Sequence, residues 1–306
     1  MLTLARAICG CLPPLAAQRV RCFVYPYRTA VREDHREQVR AITGGMFAGR
    51  TSDFHAYPML VHGYFEWRNV AICAAVCGKG DLVVEVGANV GTETVCFADV
   101  VGPGGRLIAV EPDETNVQAL LGLAELNGWR HVEIIKAAVS DVDGEVCFEA
   151  TQQQAASGIG RVVREGTSER VVKVRSVRLD TLRRAAHNRV AAVFMDVEGH
   201  EIAVLKGGRE VLRDDRPVVV LEASPKLLAR NGWSLGDLAE ELLQARYRYV
   251  TIGRFGLEKA DLGAKRAVNW LCLPEEKMDL AQTIRRTLQR AGWMPMIRGL
   301  NPLVRG

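Results

Sequence analysis

Four apolar runs in this 306-residue chain each close on an acid: Glu85 in "VVEVG", Glu111 in "IAVEP", Asp196 in "FMDVEG" and Glu222 in "VVLEAS". One such acid would mean little, because a strand must end in something polar. Four at the ends of four aliphatic strands gather carboxylates on one edge of a sheet. Keeping that charge away from water requires a cationic ligand, a metal or dedicated donors. The first acid leads into the turn Gly87-Ala88-Asn89-Val90-Gly91 and then a helix. A strand, a tight turn and a helix start together form a holder for a small molecule.

The elements that must position these acids follow from hydrophobic periodicity. "DLVVEVG" reads as a strand followed by a helix from Thr92 to Val101, and "GRLIAVEP" as a strand followed by a helix from Glu114 to Asn127. "HVEIIKAAVS" is a third strand. "GEVCFEA" and "VVKVRSVRL" alternate as a hairpin around a polar loop at 151–170. "VAAVFMDVEG" precedes a helix from His200 to Leu212, and "RPVVVLEAS" is a further buried strand. "DLAEELLQAR" is an amphipathic helix, and "YRYVTI" with "AVNWLCLP" closes the sheet as an antiparallel pair. This alternation predicts an α/β fold with a doubly wound, Rossmann-like sheet, mostly parallel with an antiparallel C-terminal edge. Residues 1–78 form a helical or irregular extension that includes a helix over 66–77. Residues 79–278 form the main domain, and 279–306 a basic amphipathic segment.

Composition is that of a globular protein, with 48% hydrophobic and 25% charged residues. The net charge of +4 is unevenly spread: residues 1–30 hold four Arg and no acid, and 279–306 five Arg and one Asp. The middle of the chain is therefore net acidic. A basic stripe on the folded domain, the mark of a nucleic-acid binder, is missing, so no nucleic-acid partner is expected. Terminal basic charge allows weak contact with an anionic membrane surface. The eight Cys lack C-x-x-C spacing, which points to reduced thiols in a cytoplasmic protein. The apolar N-terminus is short and broken by Pro13–Pro14, unlike a signal peptide.

The turn discriminates between nucleotides. Dinucleotide folds use G-x-G-x-x-G so that a pyrophosphate can reach bare backbone. Here the third position is Asn89, and Glu85 adds negative charge two residues before the first glycine. Both features disfavour phosphate. Glu111, 20 residues beyond Gly91, stands where an acid accepts hydrogen bonds from ribose hydroxyls. S-adenosylmethionine suits these features: an adenosine without phosphate, carrying an ammonium and a sulfonium.

The segments "VVEVGANVGTETV", "IAVEPDETNVQALLGLAELNG", "EIIKAAVSDVDGEVCF", "VRLDTL" and "VFMDVEGHEIAVLKGG" occur in an order that resembles the FkbM-like family of S-adenosylmethionine-dependent methyltransferases, across about residues 60–275. The resemblance implies a class I methyltransferase fold and methyl transfer, usually to oxygen, on hydroxyls of sugars, glycans or secondary metabolites. By that likeness Glu85, Gly87, Ala88, Asn89, Gly91 and Glu111 bind the cofactor, with Asn116 on the following helix. The family commonly has Asp where this chain has Glu85. Ala138 with Ser140 or Asp141 would meet the adenine edge. The family's Gly-x-x-Glu ahead of the first strand is matched by Gly63 and Glu66, making Glu66 a cofactor candidate.

On the acceptor side, an alcohol needs its proton removed, and a positioned base contributes ~10²–10⁴-fold. Asp196 ends a strand and ranks first, then Glu198; His200 has the most suitable ordinary pKa. Glu201 would favour the helix start, and Lys206 reads as a solvated helix residue. A divalent cation on Asp196 with Glu198 or Glu222 is the alternative use of these acids, but no metal is assigned. His55 and His62 are further acceptor-side candidates. Two other readings remain: an NAD(P)-dependent oxidoreductase on the same sheet, and a non-catalytic S-adenosylmethionine-binding protein.

Overall fold

The computed structural model describes residues 1–150, 160–163 and 170–304. The chain enters through three helices, α1 (Leu2–Cys9), α2 (Pro14–Val24) and α3 (Tyr27–Glu33). A hairpin follows, of β1 (Arg36–Arg40) and β2 (Met46–Arg50), then α4 (Ala56–His62) and α5 (Trp67–Val76). The hairpin was not expected, although Gly44–Gly45 between two short apolar-polar runs is a turn signal.

The central segment runs β3 (Leu82–Val86), α6 (Thr94–Val101), β4 (Arg106–Glu111), α7 (Glu114–Asn127) and β5 (Val132–Lys136). Then come β6 (Ala138–Val139), β7 (Gly144–Glu149), β8 (Arg161–Val163), β9 (Val171–Val177), α8 (Leu179–Ala186), β10 (Val190–Met195) and α9 (Glu201–Lys206). The chain closes with β11 (Val218–Ala223), α10 (Pro225–Arg230), α11 (Leu235–Gln244), β12 (Tyr247–Ile252), β13 (Leu257–Glu258), β14 (Val268–Pro274) and α12 (Leu280–Trp293).

The main sheet has the order β13-β12-β14-β11-β10-β3-β4-β5. Strands β5, β4, β3, β10 and β11 are parallel, and β14 and β12 are antiparallel, as the sequence predicts. The order reverses between β3 and β10. That reversal opens the crevice in which open α/β sheets take ligands, outside the carboxyl ends of the strands.

Alternate strand residues separate two cores. Val83, Leu107, Ala192 and Phe194 face α5, α6 and α12, with Phe97 stacked on Phe194 at 4.3 Å between centroids. Val84, Ile108, Val193 and Met195 face the opposite side with α8, α9 and α11. The basic C-terminal helix is part of this packing: Ile284, Leu288 and Ala291 are buried in the first core.

Two elements differ from the sequence expectation. "HVEIIKAAVS" divides: β5 joins the main sheet, while β6 pairs with β9 in a second sheet of order β6-β9-β7-β8. The helix expected over 200–212 is interrupted at Gly207–Gly208 and helical structure resumes, with a π-helical stretch over Val211–Asp215; an added Cβ at Gly207 would stand 2.0 Å from the Ser140 carbonyl oxygen. The β7–β9 hairpin forms as expected, and most of the loop at 151–170 lies outside the described residues.

Candidate functional site

A cavity of about 970 Å³ opens at the carboxyl ends of β3, β4 and β10. Its floor includes Glu85, Gly87, Ala88, Asn89, Glu111, Asn116, Ala138, Asp196 and His200. The structure thus brings together most of the residues selected from the sequence. Gly91, Glu66, Asp141 and Glu198 are not among its lining residues.

The turn is built by commitments of its own backbone. Gly87 and Ala88 N–H groups donate to the Val110 carbonyl at 2.9 and 3.1 Å. Asn89 N–H donates to Glu111 Oε2 at 2.8 Å, and Gly91 N–H to the Ala88 carbonyl at 2.9 Å. With these donors occupied, the turn offers little of the open nest of N–H groups that a pyrophosphate needs. The glycines serve chain packing. Gly87 has φ +83°, and a Cβ there would lie 2.1 Å from the Asp196 carbonyl oxygen. Gly91, at φ +84°, is pressed by Leu120 and Leu123 of α7. An added Cβ at either would meet protein, and Gly87 also lines the cavity.

Glu111 is fixed from three directions. Besides Asn89, it accepts from Asp113 N–H at 2.9 Å and from Asn116 Nδ2 at 3.4 Å. Asn116 is buried, lines the cavity and donates to Glu111. A carboxylate offers about four acceptor positions, so capacity remains for an incoming hydroxyl. Burial, opposed by those donors, pushes Glu111 up to about 7.

Next to it lies a group of carboxylates with few counter-ions. Glu85 is buried beneath α6 and accepts from Thr94 Oγ1 at 2.7 Å; burial pushes it up to about 8. Glu93, absent from the sequence selection, stands at the N-cap position of α6 without a side-chain capping bond and lines the cavity. Its Oε1 is enclosed without a hydrogen-bond partner. Burial first, then the Glu85 and Glu66 charges, raise its pKa well above the ordinary carboxylate range. Asp196 reaches solvent through the cleft, yet surrounding protein and the Glu66 charge raise its pKa too. Glu222 is raised by burial and by Asp196, Glu198, Glu201 and Glu66. Glu201 is buried and pushed up to about 8, with Gly199 N–H donating to its Oε1 at 3.2 Å. Glu198 is pushed up to about 7 by burial and Asp196, relieved by Arg230 and Arg161. No group of three or more His, Cys, Asp or Glu among the described residues has a metal-holding arrangement.

The histidines divide. His200 Nε2 and Ser140 Oγ lie 2.9 Å apart, and Ser140 Oγ donates to Asp141 Oδ1 at 3.1 Å. That chain places the imidazole proton on Nε2. Burial pushes His200 down to about 4, so it is neutral at pH 7. His55 lines the cavity beside Phe65. His62 is a core residue, stacked on Tyr64 at 4.8 Å and pushed down to about 3 by burial. Lys206 covers the Trp233 ring at 4.4 Å, so it is not simply solvated.

Other parts of the cavity wall come from the N-terminal hairpin, from β7 and from β8. Arg36 and Gln38 of β1, Ala48 and Arg50 of β2, Phe148 of β7 and Arg161 of β8 form its walls. Arg36 and Arg50 are directly opposed across the hairpin. Glu66 faces a neighbouring hollow with Arg21, Tyr57 and Phe65.

No curated protein matches the chain. Among solved structures, the methyltransferase FkbM from Methylobacillus flagellatus KT is 14% identical, with 84% of this chain and 60% of that one covered and a TM-score of 0.42. TYW2 of M. jannaschii, solved with AdoMet, is 16% identical over 78% of this chain and 84% of its own, TM-score 0.42. Aeropyrum pernix fibrillarin, solved with natively bound S-adenosyl-L-methionine, is 14% identical over 67% and 76%, TM-score 0.38. The family model described as the methyltransferase FkbM domain matches residues 85–249, more than half of the sequence. The chain belongs to the FkbM methyltransferase family.

Proposed function

We propose that the protein is an S-adenosylmethionine-dependent O-methyltransferase acting on a hydroxyl of a sugar, glycan or secondary metabolite. One observation carries the cofactor reading: the turn's N–H groups are occupied by protein acceptors, while enclosed carboxylates beside it lack cations. That combination offers a phosphate few free donors and favours a cationic, phosphate-free adenosine derivative, whose charge would favour the ionised carboxylates. The cofactor supplies an electrophilic methyl group on a sulfonium. Glu111 would accept from the ribose hydroxyls, held in position by Asn89, Asp113 and Asn116. Glu85 and Glu93 would serve the ammonium end, with Glu66 acting on Glu93 through its charge. Ala138 would pack against the base; Asp141 fixes Ser140 and through it His200.

Asp196 is the proposed base. It ends β10, lines the cavity and has a pKa raised toward neutrality, which makes it a better acceptor of an alcohol proton than an ordinary carboxylate. His200 is lowered and tethered, so it holds the site's shape at pH 7 while adding little basicity. Glu198 acts on Asp196 through its backbone N–H, a hydrogen bond that opposes the rise in the Asp196 pKa. The hairpin and β8 walls would meet the acceptor. The test is transfer of labelled methyl from S-adenosylmethionine to fractionated sugars, glycans and metabolites, with products identified by mass spectrometry. Label on a hydroxyl oxygen supports the reading; label on nitrogen or carbon replaces the acceptor assignment.

A further inference from the structure

At the C-terminal end of α12, away from the cavity, several large apolar side chains lie in the open. Phe255, in the turn after β12, is 54% exposed and Trp293 is 59% exposed, and their rings stack at 6.0 Å with 10° between planes. Met294, Ile297 and Leu300 continue the exposed surface along the following turn. Helix α12 is amphipathic, and its apolar face is already used: Ile284, Leu288 and Ala291 are buried, and Gly292 sits against the Trp67 ring. Trp293 and its neighbours are therefore apolar surface beyond what the fold consumes. A contiguous patch of this kind marks an interaction site.

Five arginines lie close in sequence to the patch residues. Several arginines of the chain sit on acids: Arg183 on Asp215 at 2.9 Å, Arg213 on Asp214 at 2.7 Å, Arg216 on Glu276 at 2.7 Å. Around the patch, Arg254, Arg285, Arg286, Arg290 and Arg298 are all exposed. Arg254 lies over the Phe255 ring at 5.2 Å, and Arg285 donates to the Leu257 carbonyl at 3.4 Å. None of the five forms an ion pair with an acid among the described residues. Aromatic and aliphatic side chains framed by unpaired arginines match the boundary between acyl chains and anionic headgroups. No helix among the described residues is long and apolar enough to cross a membrane.

We propose that this face docks on an anionic phospholipid surface, with Trp293, Phe255, Ile297 and Leu300 entering the headgroup boundary and the five arginines meeting lipid phosphates. The inference is independent of the catalytic reading. The full chain is sedimented with vesicles of phosphatidylcholine alone and of phosphatidylcholine with an equal part of phosphatidylglycerol. Expected is at least tenfold stronger partitioning to the anionic vesicles, falling as salt rises. The pair Phe255→Ala with Trp293→Ala, and the triple Arg286→Gln, Arg290→Gln, Arg298→Gln, should each reduce it about tenfold with melting temperature unchanged. No preference for anionic vesicles, or variants that partition like the parent, overturns the proposal. So does a concentration-dependent dimer, without vesicles, that the same pair abolishes; the face would then be covered by a second copy.

Discussion

Asn89 donates its backbone N–H to Glu111 Oε2 at 2.8 Å, tying the turn after β3 to the end of β4. The bond gives one carboxylate two tasks: it holds the turn closed, and it retains acceptor capacity for a ribose. Glu111→Gln removes the charge and turns one oxygen into a donor facing donors. Hydrogen bonds to charged groups contribute ~1.5–3 kcal/mol. Affinity for S-adenosylhomocysteine should fall about 10- to 100-fold by calorimetry, with a smaller drop in melting temperature. Unchanged affinity would remove Glu111 from the site.

Gly87 is the tightest point of the turn. An alanine there needs φ +83° and would place Cβ 2.1 Å from the Asp196 carbonyl oxygen. Backbone cannot yield as a side-chain tip can, so Gly87→Ala should cost roughly 2–4 kcal/mol in chemical denaturation, at the upper end for single substitutions. Gly104, with open space around it and no positive φ, is the control: Gly104→Ala should change stability by less than about 0.5 kcal/mol.

The acids set a pH dependence whose direction follows from linkage. Glu85 and Glu201 are pushed up to about 8 and Glu111 and Glu198 to about 7, above the ordinary carboxylate value near 4. The folded chain therefore holds protons that the unfolded chain has released, and its stability falls as pH rises from about 5 through 8. The unliganded melting temperature should decline across that interval. A cation bound among these groups favours their ionised forms, so binding should release protons. Calorimetry of S-adenosylhomocysteine in buffers of different ionisation enthalpy would show it; heats independent of buffer would contradict the electrostatic account.

Asp196 and His200 make separable predictions. Asp196→Asn should lower kcat by ~10²–10⁴-fold while leaving cofactor affinity within a few-fold. His200→Asn removes a neutral, tethered ring and should cost less than about tenfold. The reverse order, measured by labelled methyl transfer once an acceptor is in hand, would move the base to His200.

Much of this site was legible because its parts obey local rules. Aliphatic runs ending in acids gave β3, β4, β10 and β11, and the Gly87–Gly91 turn announced the crevice. What was missed depends on contacts between distant segments. The purpose of Gly87 is visible only when β10 lies beside it. Glu93 reads as an ordinary first-turn acid until Glu85 and Glu66 close around it. The β1–β2 hairpin is too short and polar for its alternation to stand out, and its place beside α7 is fixed by Asn127, which binds both the N–H and the carbonyl of Met46 at 2.7 and 2.8 Å. Glu66 was selected by resemblance, and the structure sets it behind the cavity wall, near enough to raise Asp196.

The central claim is that this crevice takes a phosphate-free, cationic adenosine. Isothermal titration of the full chain with S-adenosylhomocysteine and, separately, with NAD tests it most directly. The account predicts one-to-one binding of the first in the micromolar range and no measurable heat for the second. Tight NAD binding with silence from S-adenosylhomocysteine would contradict it.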